Sequence, residues 1–262
     1  MSYSPEQEDT IDLLWTGGWD STFSLLLLMD KDVVIQPYYI IDKQRPSYQK
    51  EIDTMNIIRT AVVNKYPGKI NSLLPTIYVD LDDIDFDEDI CRKYKNLQQK
   101  TGLGAQYCWL ASYAKQKCLS GLHLSAQKHI LDEDSRIISL LANNLERVDD
   151  GVTGPYWKPS GIPDETDISI FSYFRFPLID YTKLDMLETA KKEGFQDVLR
   201  LTWFCHTPIK GNPCGVCTPC KIVIAEGLSE RLPPEAIRRY KYRMLYNTYS
   251  KIKGKIKNIM VL

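Results

Sequence analysis

Two stretches of this 262-residue chain carry residue types at spacings that could do chemistry. The first is Leu13-Leu14-Trp15-Thr16-Gly17-Gly18-Trp19-Asp20-Ser21-Thr22. An apolar run from Ile11 enters it and reads as a buried strand. A second apolar run, residues 23–29, leaves it at helical spacing. Strand, glycine turn, helix is an arrangement that points backbone N–H groups at an anion. Glycines let the backbone approach phosphate oxygens without a side-chain clash. Thr16, Ser21 and Thr22 add hydroxyl donors. Asp20 beside phosphates would be repulsive unless a magnesium ion bridges the two. The G-x-x-x-x-G-K-[ST] spacing of a Walker A loop is absent. The plain alternative is a tight turn whose serine caps a helix.

The second stretch holds Cys205, Cys214, Cys217 and Cys220, spaced C-x8-C-x2-C-x2-C among Pro208, Gly211, Pro213, Gly215 and Pro219. Short C-x2-C turns bring sulfurs to one tetrahedral centre, and zinc on four thiolates is the usual occupant. An iron–sulfur cluster could use the same ligands. His206 adjoins a ligand and could replace one.

The elements that must position these groups follow in order. Strands are expected at residues 33–41, 74–79, 122–126 and 168–178, after the first strand at 11–15. Helices are expected at 20–30, from 46 to about 64, and at 104–119, 133–148 and 181–193. The run 80–89 carries seven acids in ten residues and reads as a solvated loop. Residues 149–167, rich in Gly, Pro and Asp, read as a surface loop or lid. Alternating strands and helices imply an α/β fold with a doubly wound parallel sheet, whose ligands bind beyond the carboxyl ends of its strands. The expected domains are residues 1–200, a nucleotide-binding α/β domain, and 201–262, a zinc-binding, helical C-terminal segment.

Composition narrows the class. Hydrophobic residues make up 44%, enough for a sizeable core, and the net charge of −1 gives no global pull toward nucleic acid or membrane. No stretch approaches the roughly 18 apolar residues of a membrane span. Residues 1–10 read as neither signal nor transit peptide, so a cytoplasmic location is expected. There, seven cysteines point to metal or core thiols rather than disulfides. Cys91, Cys108 and Cys118 are read as core or half-buried thiols. The tail 231–258 carries nine Lys or Arg, with Tyr240, Tyr242, Tyr246 and Tyr249 interleaved. It reads as a solvated helix packed by its tyrosines, with RNA, protein or acidic-ligand binding as the alternative.

The glycine turn resembles the S-G-G-x-D-S loop of the PP-loop ATPases, of the Rossmann-like adenine nucleotide α hydrolase fold, with Thr16 for the first serine. Together with the cysteines, residues 11–230 resemble 7-cyano-7-deazaguanine synthase. Lys43-Gln44-Arg45 matches its Gly-Gln-Arg, with Glu51-Ile52 at the family spacing. Arg175-Phe176-Pro177-Leu178 is similar to its Glu-Thr-Pro-Leu, and Lys183 opens the next helix. Leu201-Thr202-Trp203-Phe204-Cys205 and Cys214-Gly215-Val216-Cys217-Thr218-Pro219-Cys220 match its Leu-Thr-Cys-Tyr-Asn and Cys-Gly-x-Cys-x-x-Cys.

The resemblance implies an ATP-dependent ligase that adenylates a deazapurine carboxylate, such as 7-carboxy-7-deazaguanine, releases pyrophosphate, and forms an amide or nitrile. It implies ATP, magnesium and zinc as cofactors. Trp15, Thr16, Gly17, Gly18, Trp19, Asp20, Ser21 and Thr22 would bind ATP. Asp20, Ser21, Lys183 and Arg175 would be catalytic. Gln44, Arg45, Gln127, Lys128, Asp134 and Arg136 would bind the acid, in a pocket expected between Gln44-Arg45, residues 127–136 and Arg175. The four cysteines would hold the metal.

Two segments depart from the family. Residues 125–136 replace its deazapurine-reading segment, and Gly102-Leu103-Gly104-Ala105-Gln106 replaces its Val-Pro-Gly-Arg-Asn. The resemblance is thus to a divergent relative, with ammonia or a protein amine as acceptor. Synthase-like relatives of that kind occur in bacterial antiviral defence operons. A homodimer is allowed, and a role for nucleic acid stays open. The alternatives are a tRNA-modifying PP-loop enzyme, with Cys108 as its candidate cysteine, and a nucleotide-binding regulatory subunit.

Overall fold

The structure is a computed structural model that describes residues 10–127 and 133–243, with the side chains of 133–136 left aside. Lys128 and the basic tail beyond residue 243 lie outside the described residues. So do the side chains of Asp134 and Arg136. The chain divides into two compact units. One spans residues up to 43 together with 48–203, and the other holds 44–47 and everything from 204 on.

The first unit runs β1 (Thr10–Leu14), α1 (Trp19–Met29), β2 (Val34–Ile41), α2 (Tyr48–Lys65), β3 (Ile77–Asp80), α3 (Glu88–Thr101), α4 (Gln106–Gln116) and β4 (Leu122–His123). It continues with α5 (Glu133–Leu141), β5 (Leu145–Asp149), β6 (Pro155–Pro159), β7 (Phe174–Arg175), α6 (Lys183–Lys192) and α7 (Gln196–Leu199). Five strands form a parallel sheet in the order β3-β2-β1-β4-β7. From β1 the chain builds outward to β2 and β3, then returns to lay β4 on the opposite side of β1. The strand order therefore reverses between β1 and β4, where open α/β sheets bind ligands.

Side chains alternate across the sheet, and each face buries its own core. Ile11, Leu13, Ile35 and Tyr39 pack with Phe23, Leu26, Met55, Ile58, Met186 and Phe195 from α1, α2, α6 and the turn before α7. Leu14, Tyr38 and Ile40 pack with Ile90, Tyr94, Tyr107, Leu110 and Ile137 from α3, α4 and α5. Helices thus cover both faces of a five-stranded parallel sheet, as expected of an α/β chain.

Several expected elements change. The acidic run is not all loop: Asp87 caps α3, its carboxylate accepting from the Ile90 N–H at 2.9 Å, and Glu88 and Asp89 fill the first turn. Carboxylates at a helix start are stabilised by the dipole. The helix expected over 133–148 stops at Leu141, and residues 145–149 become strand instead. Their partner β6 runs antiparallel, so the glycines read as a loop form a hairpin turn. Asp150 closes that turn, accepting from Val152 and Thr153 N–H groups at 2.9 and 2.8 Å. Trp157 and Phe176 exchange backbone bonds of 3.1 and 2.7 Å, which ties β6 to the chain after β7. Much of the expected lid is therefore sheet-anchored. The strand expected over 168–178 is a 3-10 turn, Asp167–Phe171, followed by the two residues of β7.

The second unit contains α8 (Thr218–Ala225) and α9 (Pro234–Lys241). Gly215 has φ +80°, and a Cβ there would lie 2.1 Å from the Ala236 carbonyl oxygen. Only glycine lets the cysteine loop approach α9 this closely.

Candidate functional site

The glycine turn leaves the carboxyl end of β1 at the reversal of strand order. Gly17 has φ +68°, and a Cβ on it would meet Met55 Cγ at 2.9 Å, so α2 packs directly on the turn. Thr16, exposed, bonds through its hydroxyl to Ser21 Oγ at 3.2 Å and to the Gly18 N–H at 3.3 Å. Ser21 Oγ also accepts from the Thr16 N–H at 3.2 Å. These two hydroxyls staple the loop to the first turn of α1. The N-cap of α1, Gly18, offers no side chain to the helix amides. Gly17 accepts from the Trp203 N–H at 3.0 Å.

Trp15 and Thr22 differ in kind from their neighbours. Both are buried, and Trp15 Nε1 donates to Thr22 Oγ1 at 3.1 Å. Trp19 is buried too. These three side chains build the core under the loop, so they offer a ligand backbone groups rather than rings or hydroxyls.

Asp20 and Lys183 come together as an ion pair through Oδ1. Lys183 is only 9% exposed and stands first in α6. Thr182 and Asp185 fix that start as a capping box. An ammonium at a helix N-terminus meets the positive end of the dipole. A buried lysine in that position needs an anion, and Asp20, second in α1, supplies one. Sequence spacing could not show this pairing across 163 positions.

At the reversal point His123 stands in register with Leu13 on one side and Arg175 on the other. It is 1% exposed, and burial first, then the charge of Arg175, pushes its pKa down to about 4. Neither ring nitrogen has a hydrogen-bond partner among the described residues. Gln127, also 1% exposed, and Ser125 share that condition. Arg175 lies over the Tyr156 ring at 4.8 Å. Asp180, five residues on, accepts from Trp157 Nε1 at 2.9 Å. His123 and Ser125 were missed in the sequence. A histidine in a short apolar strand carries no periodic signal that separates it from core.

The neutral state of His123 has a consequence for stability. As pH falls from the ordinary value of 6.5 toward about 4, the unfolded chain takes up a proton that the folded one refuses. Stability is therefore full above that window and lost through it, by ~3 kcal/mol for this group. Urea unfolding at neutral pH and near the lower end of the window should show the loss, and His123→Phe should remove this share of it.

Gln44 and Arg45 belong to the second unit, as do the cysteines. The sulfurs of Cys205, Cys214, Cys217 and Cys220 lie within 4.8 Å of one another. Cys214–Cys220 and Cys205–Cys217 are each 3.8 Å apart. Zinc–sulfur bonds of about 2.3 Å give a tetrahedral edge of about 3.8 Å. Backbone N–H groups aim at the sulfurs: Cys214 to Cys205 at 3.2 Å, and Val216 and Cys217 to Cys214 at 3.4 and 3.2 Å. Thr207 Oγ1 adds a bond to Cys214 at 3.3 Å. Such donors stabilise thiolate charge. Four cysteines so placed could hold a metal ion such as zinc in a closed, structural site. His206 is exposed and stands outside the set.

Neither a protein-family model nor a curated protein matches the chain. What fold and site define is an α/β chain with a parallel sheet and a four-cysteine cluster. Among the described residues no helix is long and apolar enough to cross a membrane.

Proposed function

We propose that the chain is a PP-loop-type, zinc-binding ATP-dependent ligase that adenylates a deazapurine carboxylate and passes the acyl group to an amine. The observation that carries this reading is the glycine turn at the end of β1, with Asp20 and buried Lys183 paired beside the uncapped start of α1. An anion arriving there would meet backbone N–H groups, the Thr16 and Ser21 hydroxyls, and an ammonium held against a helix N-terminus.

In this reaction a carboxylate oxygen attacks the α-phosphorus of ATP. The bond from that phosphorus to the α–β bridging oxygen breaks, and pyrophosphate leaves. An amine then attacks the carbonyl carbon, AMP departs, and one proton is lost. A carboxylate alone is a poor acylating group because its leaving oxygen is too basic. The protein's part is positioning and charge neutralisation. Lys183 attracts the phosphates, and the two hydroxyls orient them. Arg175 suits the carboxylate of the acid, since a guanidinium donates two parallel hydrogen bonds. Asp20 Oδ2 takes part in no described hydrogen bond, which fits a carboxylate that would hold magnesium. The ion would offset the phosphate charge. The altered segment after β4 favours an amide on ammonia or a protein amine over a free nitrile.

The tRNA-thiolating alternative gains nothing from Cys108. It is buried beside Cys91, and burial first, then the hydrogen bond shared with Cys91, pushes its pKa up to about 12. Such a thiol is a poor nucleophile.

Incubation with 7-carboxy-7-deazaguanine, ATP, magnesium and ammonia, read by pyrophosphate release and mass spectrometry, tests the reading. Acid-dependent pyrophosphate with an amide product is expected. Efficient free nitrile would make the divergence after β4 cosmetic. No ATP-dependent change in the acid would overturn the substrate.

A further inference from the structure

We propose that Cys91 and Cys108 form a peroxide-sensitive dithiol that closes reversibly to a disulfide and ties α3 to α4. Neither residue belongs to the metal cluster or to the groups assigned to the ligase reaction, so the pair stands or falls independently of that reading.

Four of the seven cysteines make up the C-terminal cluster. Of the other three, Cys118 is exposed. Cys91 and Cys108 meet, with their sulfurs 2.8 Å apart. That is closer than the 3.8 Å of the Cys214–Cys220 and Cys205–Cys217 pairs. A disulfide bond is about 2.05 Å long. The two sulfurs therefore need to approach by only about 0.8 Å.

The two helices are already fixed to each other at this point. Cys91 lies in the first turn of α3, and its N–H bonds the Asp87 carbonyl at 2.9 Å. Asp87 gives its own N–H to Ser112 Oγ of α4 at 3.2 Å and accepts from Lys115 Nζ at 2.6 Å. Gln116 Nε2 donates to Asp85 at 3.0 Å. Tyr94 and Leu97 of α3 share one core with Tyr107, Leu110 and Ala111 of α4. Thiols held in this way are ordered before any bond forms, which speeds closure.

Access sets the order of the steps. Cys91 is half-buried and Cys108 buried, so a peroxide meets Cys91 first. The Cys91 thiolate attacks one peroxide oxygen and the O–O bond breaks. Hydroxide leaves and takes up the proton that Cys91 has lost, giving water and a sulfenic acid on Cys91. The Cys108 sulfur then attacks the Cys91 sulfur, the S–O bond breaks, and a second water departs with the Cys108 proton. The two thiols are oxidised to a disulfide, and one peroxide is reduced to water. Burial first, then the hydrogen bond and charge of Cys91, keep the Cys108 thiol protonated, and the Lys95 charge opposes them. Conversion of Cys91 to a sulfenic acid removes its thiolate charge, which frees the second thiol once the first has reacted.

Full-length, zinc-loaded protein treated with a slight excess of hydrogen peroxide, alkylated without reductant and digested, tests this by mass spectrometry. A peptide pair joined through Cys91 and Cys108 is expected, with zinc retained and the link lost in dithiothreitol. The oxidised protein should melt about 5 °C above the reduced one, because the bond closes a loop in the unfolded chain. Cys108→Ala should abolish that rise and leave Cys91 as a sulfenic acid that dimedone captures. Cys91→Ser should leave Cys108 reduced, and Cys118→Ser should change nothing. Absence of the 91–108 link at peroxide levels that keep zinc bound would overturn the proposal. So would a link that forms as fast in urea-unfolded protein, or one that joins Cys118 instead.

Discussion

Cys205→Ser is expected to abolish stoichiometric metal binding and to unfold the second unit. Cys205 is fully buried and accepts the Cys214 N–H, so its sulfur is part of the local fold as well as a ligand. The four sulfurs lie within 4.8 Å of one another, so thiolate charges there repel unless a cation sits among them. Contact with Cys205 and Cys220 pushes the Cys217 thiol below its ordinary range, while contact with Cys205 and Cys217 pushes that of Cys220 above it. A divalent ion on four thiolates resolves that conflict and adds binding energy to folding, on the order of 10 kcal/mol for structural zinc at neutral pH. Residues 204–243 bury few large side chains of their own: Leu228, Leu232, Val223 and Ala236 are the apolar ones. Loss of that energy therefore exceeds what the local core can carry. Metal analysis should fall from one ion per chain to well under one, and limited proteolysis should cut first after residue 203. Wild-type protein that carries neither zinc nor iron would end the metal assignment.

Asp20 and Lys183 should behave as a coupled pair in stability and as separate parts in activity. Asp20→Ala strands the ammonium of Lys183, 10% exposed as a side chain, against the positive end of α6. A loss of about 3 kcal/mol is expected, the cost of leaving one partner of a largely buried pair uncompensated. Lys183→Met should cost less, because Asp20 reaches water and sits favourably in the first turn of α1. Adding Lys183→Met to Asp20→Ala should restore most of the lost stability in urea unfolding. Under the proposed function activity should not be restored: each single variant and the double should lose about a thousandfold in pyrophosphate release, since one removes the carboxylate that would hold magnesium and the other the ammonium aimed at the phosphates. A folded Asp20→Ala protein with normal release would falsify the phosphate-loop assignment.

Much of this was legible in the sequence because it is local. Gly17-Gly18 between two apolar runs specifies strand, turn and helix within a dozen residues. The C-x2-C spacings specify a cluster in the same way. The sheet could be read from its longest strands, β1 and β2, whose near-continuous apolar runs suit strands covered on both faces. Illegible were the features that depend on distant partners. The helix at 133–148 was over-extended because Leu145 and Val148 fit a helical period equally well, and their pairing with 155–159 decided otherwise. The helix at 88–101 hid in an acidic run whose carboxylates look solvated until Asp87 is seen to cap it. Lys183 reads in the sequence as a catalytic group on its own, and its partner Asp20 is 163 positions away. The unpartnered polar atoms of His123, Ser125 and Gln127 were illegible for a different reason: a hydrogen-bond partner is a property of surroundings, and a sequence lists only groups.

The shortness of β4 has an evolutionary consequence. It lends the ladder two residues and then leaves. The largest side chains of the two cores sit elsewhere, among them Trp15, Phe23, Tyr107, Phe171, Phe174 and Phe195. Leu124 and Ala126 pack into one of the cores, so it is at the intervening polar positions 125 and 127 that substitutions can accumulate without touching either core or the glycine turn on the neighbouring strand. Positions 125 and 127 and the scaffold are thus inherited on separate terms: the short segment after β4 can change while the sheet and the glycine turn stay under a different constraint.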